Sequence, residues 1–207
     1  MVDILIIRKA LAEPGKTLNV RKSSALNRPR KRPHHLPGDG RVGAVLLLLF
    51  PSRSDEIRFA LTRRRDDLKD HPGQVSLPGG RRENDESLSQ TAVREAVEEI
   101  GVDSGSIEII GHLDQVYIPP SDFTIHPFVG WCEQMPQFQV QATEVAELIE
   151  ADLEWLCRSD SLQFGPIEGP EIGIRSEFFQ IEQNQVWGAT AKVLMDFRSR
   201  LIAAGCG

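Results

Sequence analysis

Long apolar runs are missing from this chain. The longest, Val42 to Phe50 (VGAVLLLLF), is far shorter than the roughly 20 residues a membrane-spanning helix requires. No basic segment leading into an apolar one opens the sequence, so neither an export signal nor a membrane span is expected. Cysteine is scarce: Cys132, Cys157 and Cys206 lie far apart, odd in number and without CxxC spacing, which fits a reducing cytoplasm better than a disulfide framework. Net positive charge is also lacking. At a formal charge of -6 the chain does not look like a general nucleic-acid binder, and the basic stretch VRKSSALNRPRKRPHH near its start reads as a solvated arm. No internal repeat is visible, which excludes a solenoid.

What is present is the composition of an ordinary folded protein, 40% hydrophobic and 26% charged over 207 residues, enough for one substantial core. VDILIIRKALAE has helical spacing and stops at Pro14. Prolines, glycines and basic residues dominate from there to Gly40, so residues 1–40 are expected to be a helix followed by a basic, proline-rich arm, with the compact domain in residues 41–207. GAVLLLLF reads as a buried strand. IRFALTRR alternates Ile57, Phe59 and Leu61 on one face, and PSRSDE between the two marks a hairpin.

A loop ending in LPGG precedes a helix over LSQTAVREAVEEI, for which Asp85 and Ser87 are candidate N-caps and Gly101 the C-terminal stop. Strands are expected in SIEIIGHLDQV, FTIHPFVGW and IRSEFFQIE, a short helix in EADLEWLCR, and a closing amphipathic helix in GATAKVLMDFRSRLIAA. Strands interrupted by single helices point to an α/β or α+β layered domain.

The helix REAVEEIGV is the chemical centre of the sequence. At about 100° per residue, Glu95, Glu98 and Glu99 share an arc of roughly 100°. Leu88, Ala92, Val93, Ala96, Val97 and Ile100 fill the neighbouring half of the wheel, so the acids border the stripe expected to be buried. Like charges at i,i+3 and i,i+4 repel, more so with water removed, and the macrodipole near a helix C-terminus adds to the cost. A divalent cation relieves it. Oxygen donors without nearby imidazole or thiolate suit magnesium or manganese rather than zinc. The glycines of LPGG let the backbone approach closely, and the Gly80 carbonyl is a further candidate donor.

The spacing Gly80, five residues, Glu86, seven residues, Arg94-Glu95-Ala96, one residue, Glu98-Glu99, one residue, Gly101-Val102 resembles the Nudix box, a signature of hydrolases that cleave a nucleoside diphosphate linked to another moiety. The resemblance implies a Nudix αβα sandwich around a mixed β-sheet, metal binding by Glu95, Glu98 and Glu99, and a structural ion pair between Glu86 and Arg94. Upstream, ALTRRRDDLKDHPGQVSLPGG is similar to the motif preceding the box in coenzyme A pyrophosphatases. Leu61, Thr62, Arg64, Gly73, Pro78, Gly79 and Gly80 match it, while Ala60, Arg65, Lys69 and Leu77 depart. VWGATAKVL is similar to the start of that subfamily's last helix.

By this resemblance Arg64 and Lys69 contact substrate phosphates, His71 is a loop residue rather than a catalyst, and coenzyme A or an acyl derivative is split to 3′,5′-ADP and 4′-phosphopantetheine. A carboxylate outside the box is expected as general base or extra ligand, with Glu144 first and Glu147 second, beside Glu98 within the box. The partner implied is a small molecule, with pairing into a homodimer an analogy from the family. Two alternatives stay open: a hydrolase for ADP-ribose or another dinucleotide, and an inert Nudix module binding RNA through its basic arm.

Overall fold

The computed structural model describes residues 2–12, 41–168 and 173–206; the basic, proline-rich arm falls outside them. In chain order the elements are α1 (Ile4–Ala12), β1 (Arg41–Pro51), β2 (Ile57–Arg64), β3 (Val75–Ser76), β4 (Gly79–Arg81), α2 (Leu88–Ile100), a 3-10 turn (Ser104–Ser106), β5 (Glu108–His112), β6 (Val116–Ile118) and β7 (Phe123–Trp131). They continue with β8 (Val145–Asp152), α3 (Leu153–Cys157), β9 (Leu162–Pro166), β10 (Arg175–Ile181), β11 (Asn184–Trp187) and α4 (Gly188–Ala204).

β1 organises the main sheet. It pairs in parallel with β7 and antiparallel with β2 and β4. β3 and β8 add to β2, and β5 and β6 to β7, giving a mixed sheet. The apolar run in β1 is continuous because both of its faces are covered. Ala44, Leu46, Leu48 and Phe50 pack with Ala92, Ala96 and Ile100 of α2 on one side. Leu47 and Leu49 pack on the other side in a core that holds Ile7 of α1, Leu153 of α3 and Leu194 and Phe197 of α4. The result is the expected αβα sandwich around a mixed sheet. β9, β10 and β11 form a separate antiparallel meander.

The ends of α2 follow its local chemistry. Ser87 is the N-cap, accepting a hydrogen bond from the Gln90 amide while the Gln90 side chain accepts from the Ser87 amide in a capping box. Gly101 closes the helix at φ 67°, a conformation that costs a residue with a Cβ.

Two sequence expectations are corrected. Val97 is 37% exposed and Val93 only partly covered, whereas Glu99 is 7% exposed. The helix lays Ala92, Ala96 and Ile100 on the sheet and turns Glu95 and Glu99 towards β2 and β4, leaving Val93 and Val97 on the opposite flank. Second, the cysteines are not all free: Cys157 and Cys206 are disulfide-bonded across 49 residues of sequence, and only Cys132 is free. The separation hides the pair in the sequence. The turn at Gly205 brings Cys206 back against α3, with the two Cα atoms 6.4 Å apart, within bridging range. No helix among the described residues is long and apolar enough to cross a membrane.

Thiol titration in denaturant checks the pairing: one reactive thiol is expected without reductant and three with it. Reduction, or Cys157→Ser, is expected to lower the thermal midpoint, since closing a loop of this length contributes about 2–4 kcal/mol.

Candidate active site

Arg94 ties the loop before α2 to the helix. Its Nε donates to Glu86 Oε2 at 3.1 Å and its Nη2 to Glu86 Oε1 at 2.9 Å. Glu86 is eight residues earlier, and the loop folds back to reach it. The Glu83 amide and the Thr91 hydroxyl also donate to Glu86 Oε1, at 2.9 and 3.0 Å. With the Arg94 guanidinium as the largest cause, the Glu86 carboxyl is drawn down to about 2. Arg94 Nη2 further donates to the Arg81 carbonyl at 3.1 Å, while Nη1 donates to Glu95 Oε1 and Glu98 Oε2, both at 3.0 Å. One guanidinium therefore binds three carboxylates and the backbone of β4.

The glycine loop and the helix meet at Gly80, where a Cβ would run into the Glu95 carboxylate. A side chain there would displace the Glu95 carboxylate, since β4 itself is held against β1 by pairing of Gly80 with Ala44. Glu95 is half-buried, and desolvation raises its pKa against the pull of Arg94. Glu99 lies deeper. Its Oε2 accepts from Thr62 Oγ1 at 3.4 Å. Burial, then the Glu95 charge, push its pKa up to about 7, opposed by the Gly79 amide and the Arg64 charge.

Glu144 also acts on both groups: its charge is among the causes that raise Glu95 and Glu99. Its place is set by backbone hydrogen bonds. The amides of Gln139 and Gln141 donate to the carbonyls of Ile100 and Glu99 at the end of α2, and the Arg65 amide donates to the Glu144 carbonyl at 3.1 Å. Arg65 Nη1 donates to the Ala142 carbonyl at 2.8 Å, and its side chain also pairs with Asp67. Arg65, a departure from the upstream motif, thus clamps two loops together. Arg64 lies close enough to act on Glu99, and its Nε is buried without a hydrogen-bond partner.

The other candidates lie elsewhere. Glu147 pairs across the strands with Arg63, on the sheet face opposite Thr62 and Glu99, and accepts from Gln183 Nε2 at 3.4 Å. Its alternation in β8 could have shown this once its pairing with β2 was known. Glu98 is 57% exposed at its side chain and held by Arg94. Lys69 and His71 stand exposed in the loop after β2.

Among the described residues no three acids, imidazoles or thiols converge as a finished ligand set. The donors nevertheless fit a hard divalent cation. Glu95, Glu99 and Glu144 offer oxygen alone, the Glu144 charge is among the causes that raise Glu95 and Glu99, and Glu95 stands beside the Gly80 backbone.

The NUDIX domain family matches residues 40–169, a span that contains β1, the glycine loop, α2 and Glu144. The chain belongs to the Nudix hydrolase family. It is therefore a pyrophosphohydrolase by class, acting on a small molecule that carries a pyrophosphate. It is 33% identical over 171 residues to the uncharacterized Nudix hydrolase NudL of Pectobacterium atrosepticum, a match covering 80% of this chain and 84% of that protein. To Nudix hydrolase 3 of Caenorhabditis elegans it is 32% identical over 139 residues, covering 65% of this chain but only 58% of the nematode protein. A solved MutT/nudix family protein from Enterococcus faecalis superposes with TM-score 0.57 at 16% identity, covering 84% of this chain and 66% of the other, a likeness of fold alone.

The raised Glu99 pKa has a consequence for the metal-free Nudix hydrolase. Between about 4.5 and 7 the folded chain keeps a proton on Glu99 that the unfolded chain has released, so stability falls as pH rises through this window. Denaturant unfolding in the presence of chelator is expected to show a loss on the order of 3 kcal/mol between pH 5 and pH 7.5. Glu99→Gln is expected to flatten most of that slope. A slope of the opposite sign in the native chain would contradict the buried, raised carboxyl.

Proposed function

We propose that this Nudix hydrolase cleaves the diphosphate of coenzyme A or acyl-coenzyme A, giving 3′,5′-ADP and 4′-phosphopantetheine or its acylated form. The observation that carries the reading is the position of Arg64. It belongs to the coenzyme A type motif upstream of the box, and it brings a buried, unpartnered Nε beside the carboxylates. A cation with an unfilled donor in a partly dry site suits a phosphate oxygen. Lys69, exposed at another position of that motif, is the second phosphate contact in this proposal.

Magnesium or manganese held by Glu95, Glu99 and the Gly80 carbonyl supplies charge neutralisation at the phosphates when bound. Glu98, which gives Oε2 to Arg94, would join them through its other oxygen. In the hydrolysis a water oxygen forms a bond to one phosphorus and the bridging P–O bond breaks. Glu144 takes the water proton, and the leaving phosphate departs with the bridging oxygen. Glu86 and Arg94 hold the loop and touch no reacting atom. The partner is a small molecule.

A substrate panel with products identified by mass tests the reading. Coenzyme A and its acyl forms are expected to give 3′,5′-ADP in the presence of magnesium; much faster turnover of ADP-ribose or a dinucleotide would overturn the substrate assignment. Glu99→Gln is expected to lower turnover by about two orders of magnitude or more while the circular dichroism spectrum is kept.

A further inference from the structure

β2 and β8 pair in regular antiparallel register from Arg58 opposite Asp152 to Arg63 opposite Glu147, and there the pairing slips. Arg64 lies opposite Val145, so Ala146 is an extra residue on β8. In regular register Arg65 would face Val145. The bulge moves it on by one residue, and the Arg65 amide donates instead to the Glu144 carbonyl at 3.1 Å. Bulges re-aim the side chains around them and are over-represented beside active sites. This one lies at the start of β8, directly after the carboxylate that acts on Glu95 and Glu99.

The Arg65 side chain fastens the same place a second time. Its Nε and Nη2 donate to Asp67 Oδ1 and Oδ2 at 2.8 and 2.7 Å, a fork that fixes the plane of the guanidinium. Nη1 is thereby aimed at the Ala142 carbonyl, which accepts at 2.8 Å, two residues before Glu144. The turn from Gln141 to Glu144 is exposed throughout, so hydrogen bonds rather than core packing decide where it rests. All three guanidinium nitrogens of Arg65 are engaged within the chain, whereas the Nε of its neighbour Arg64 is buried without a partner. The neck of the loop that carries Lys69 is closed without this side chain, by the Arg64 amide on the Gln74 carbonyl at 2.9 Å and Arg63 Nη2 on Asp66 Oδ1 at 2.6 Å.

We propose that Arg65 is a positioning residue for the hydrolysis: its guanidinium, oriented by Asp67, holds the turn of residues 142–144 so that Glu144 is presented to the attacking water. The proposal rests on Glu144 as the base of the reaction and names what keeps it in place. An exposed ion pair such as Arg65 with Asp67 adds little to stability, so its effect is geometric. A general base has to stand within hydrogen-bond reach of the proton it takes, and a small misplacement of a reacting group slows the reaction strongly. Lysine cannot replace this arginine, because one ammonium on a flexible stem does not hold a carboxylate by two parallel bonds and a carbonyl at once. Two arginines adjacent in sequence thus have separate tasks, Arg64 towards the phosphates and Arg65 towards the base.

A double-mutant cycle on the full chain, with magnesium and the best substrate of the panel, tests the coupling. Glu144→Gln is expected to lower kcat about a hundredfold, the scale of a lost general base. Arg65→Ala is expected to lower kcat about tenfold through misplacement of that base, with KM and the thermal midpoint nearly unchanged. The double variant is expected to turn over about as fast as Glu144→Gln alone, because a residue that acts through another has nothing further to lose. Arg65→Lys, which keeps the charge and not the fork, is expected to recover little of the native kcat. Independent losses that multiply to about a thousandfold in the double variant would overturn the proposal and leave Glu144 as base. A raised KM with kcat kept in Arg65→Ala would also overturn it, marking a phosphate contact, as would full recovery by lysine, marking a role of charge alone. Native kcat in Glu144→Gln would remove both the base assignment and the proposal. The cycle reads the same on any substrate of the panel, so failure of the coenzyme A reading is told apart from failure of the clamp.

Discussion

The guanidinium of Arg94 is the contact on which the active site depends. It is only partly exposed, at 25% of its side chain, and it meets Glu86 through two parallel hydrogen bonds. That fork–fork geometry is the strong, directional form of a carboxylate pair. Its effect is mechanical as much as electrostatic. The segment between Gly80 and Ser87 has no regular structure beyond Arg81, so the pair is what ties its path to the body of α2. With the pair made, the Arg81 carbonyl is held as well, β4 stays in register with β1, and the Gly80 backbone comes to rest against the Glu95 carboxylate. The same cation offsets part of the repulsion among the acids.

Why the acids are placed here follows from β1. A strand covered on both faces alternates its side chains between two helical layers, and its neighbour β2 inherits that alternation. Phe59 and Leu61 join the core under α4, while Ala60 joins the core under α2. Continuing the pattern past the end of the core, Thr62 turns to Glu99 and Arg63 turns away. The core packing and the contact of Thr62 with Glu99 are thus set by a single periodicity.

The elements that were legible in the sequence were those with local causes. α4 runs over the expected GATAKVLMDFRSRLIAA, and α2 begins at its capping box and ends at its left-handed glycine. β4 was not legible, because LPGG has the composition of a loop and becomes a strand only through pairing with β1. The wheel of α2 was read half correctly: periodicity found the buried edge but not which flank the sheet would leave open at Val97. The Cys157–Cys206 bond joins segments distant in sequence, and no spacing rule reaches it. The choice between Glu144 and Glu147 was of the same kind. Their three-residue separation says nothing about faces, whereas the strand pairing of Glu147 with Arg63 sends it to the far side of the sheet.

Glu144 shows how a loop residue can be placed as firmly as one on a helix. Loops are usually variable in position, yet this turn is stitched to α2 by two backbone hydrogen bonds and to the loop after β2 by the Arg65 amide and guanidinium. Those bonds satisfy C-terminal carbonyls of α2, at Glu99 and Ile100, that the helix itself leaves without donors. Capping the helix and positioning the carboxylate are therefore one structural act. The charge consequence runs the same way: fastening Glu144 here brings a third acid to bear on two already crowded ones. Arg65 is what secures that arrangement, so its departure from the upstream motif belongs to the placement of the carboxylate and leaves Arg64 as the side chain that meets the phosphates in the proposed reaction.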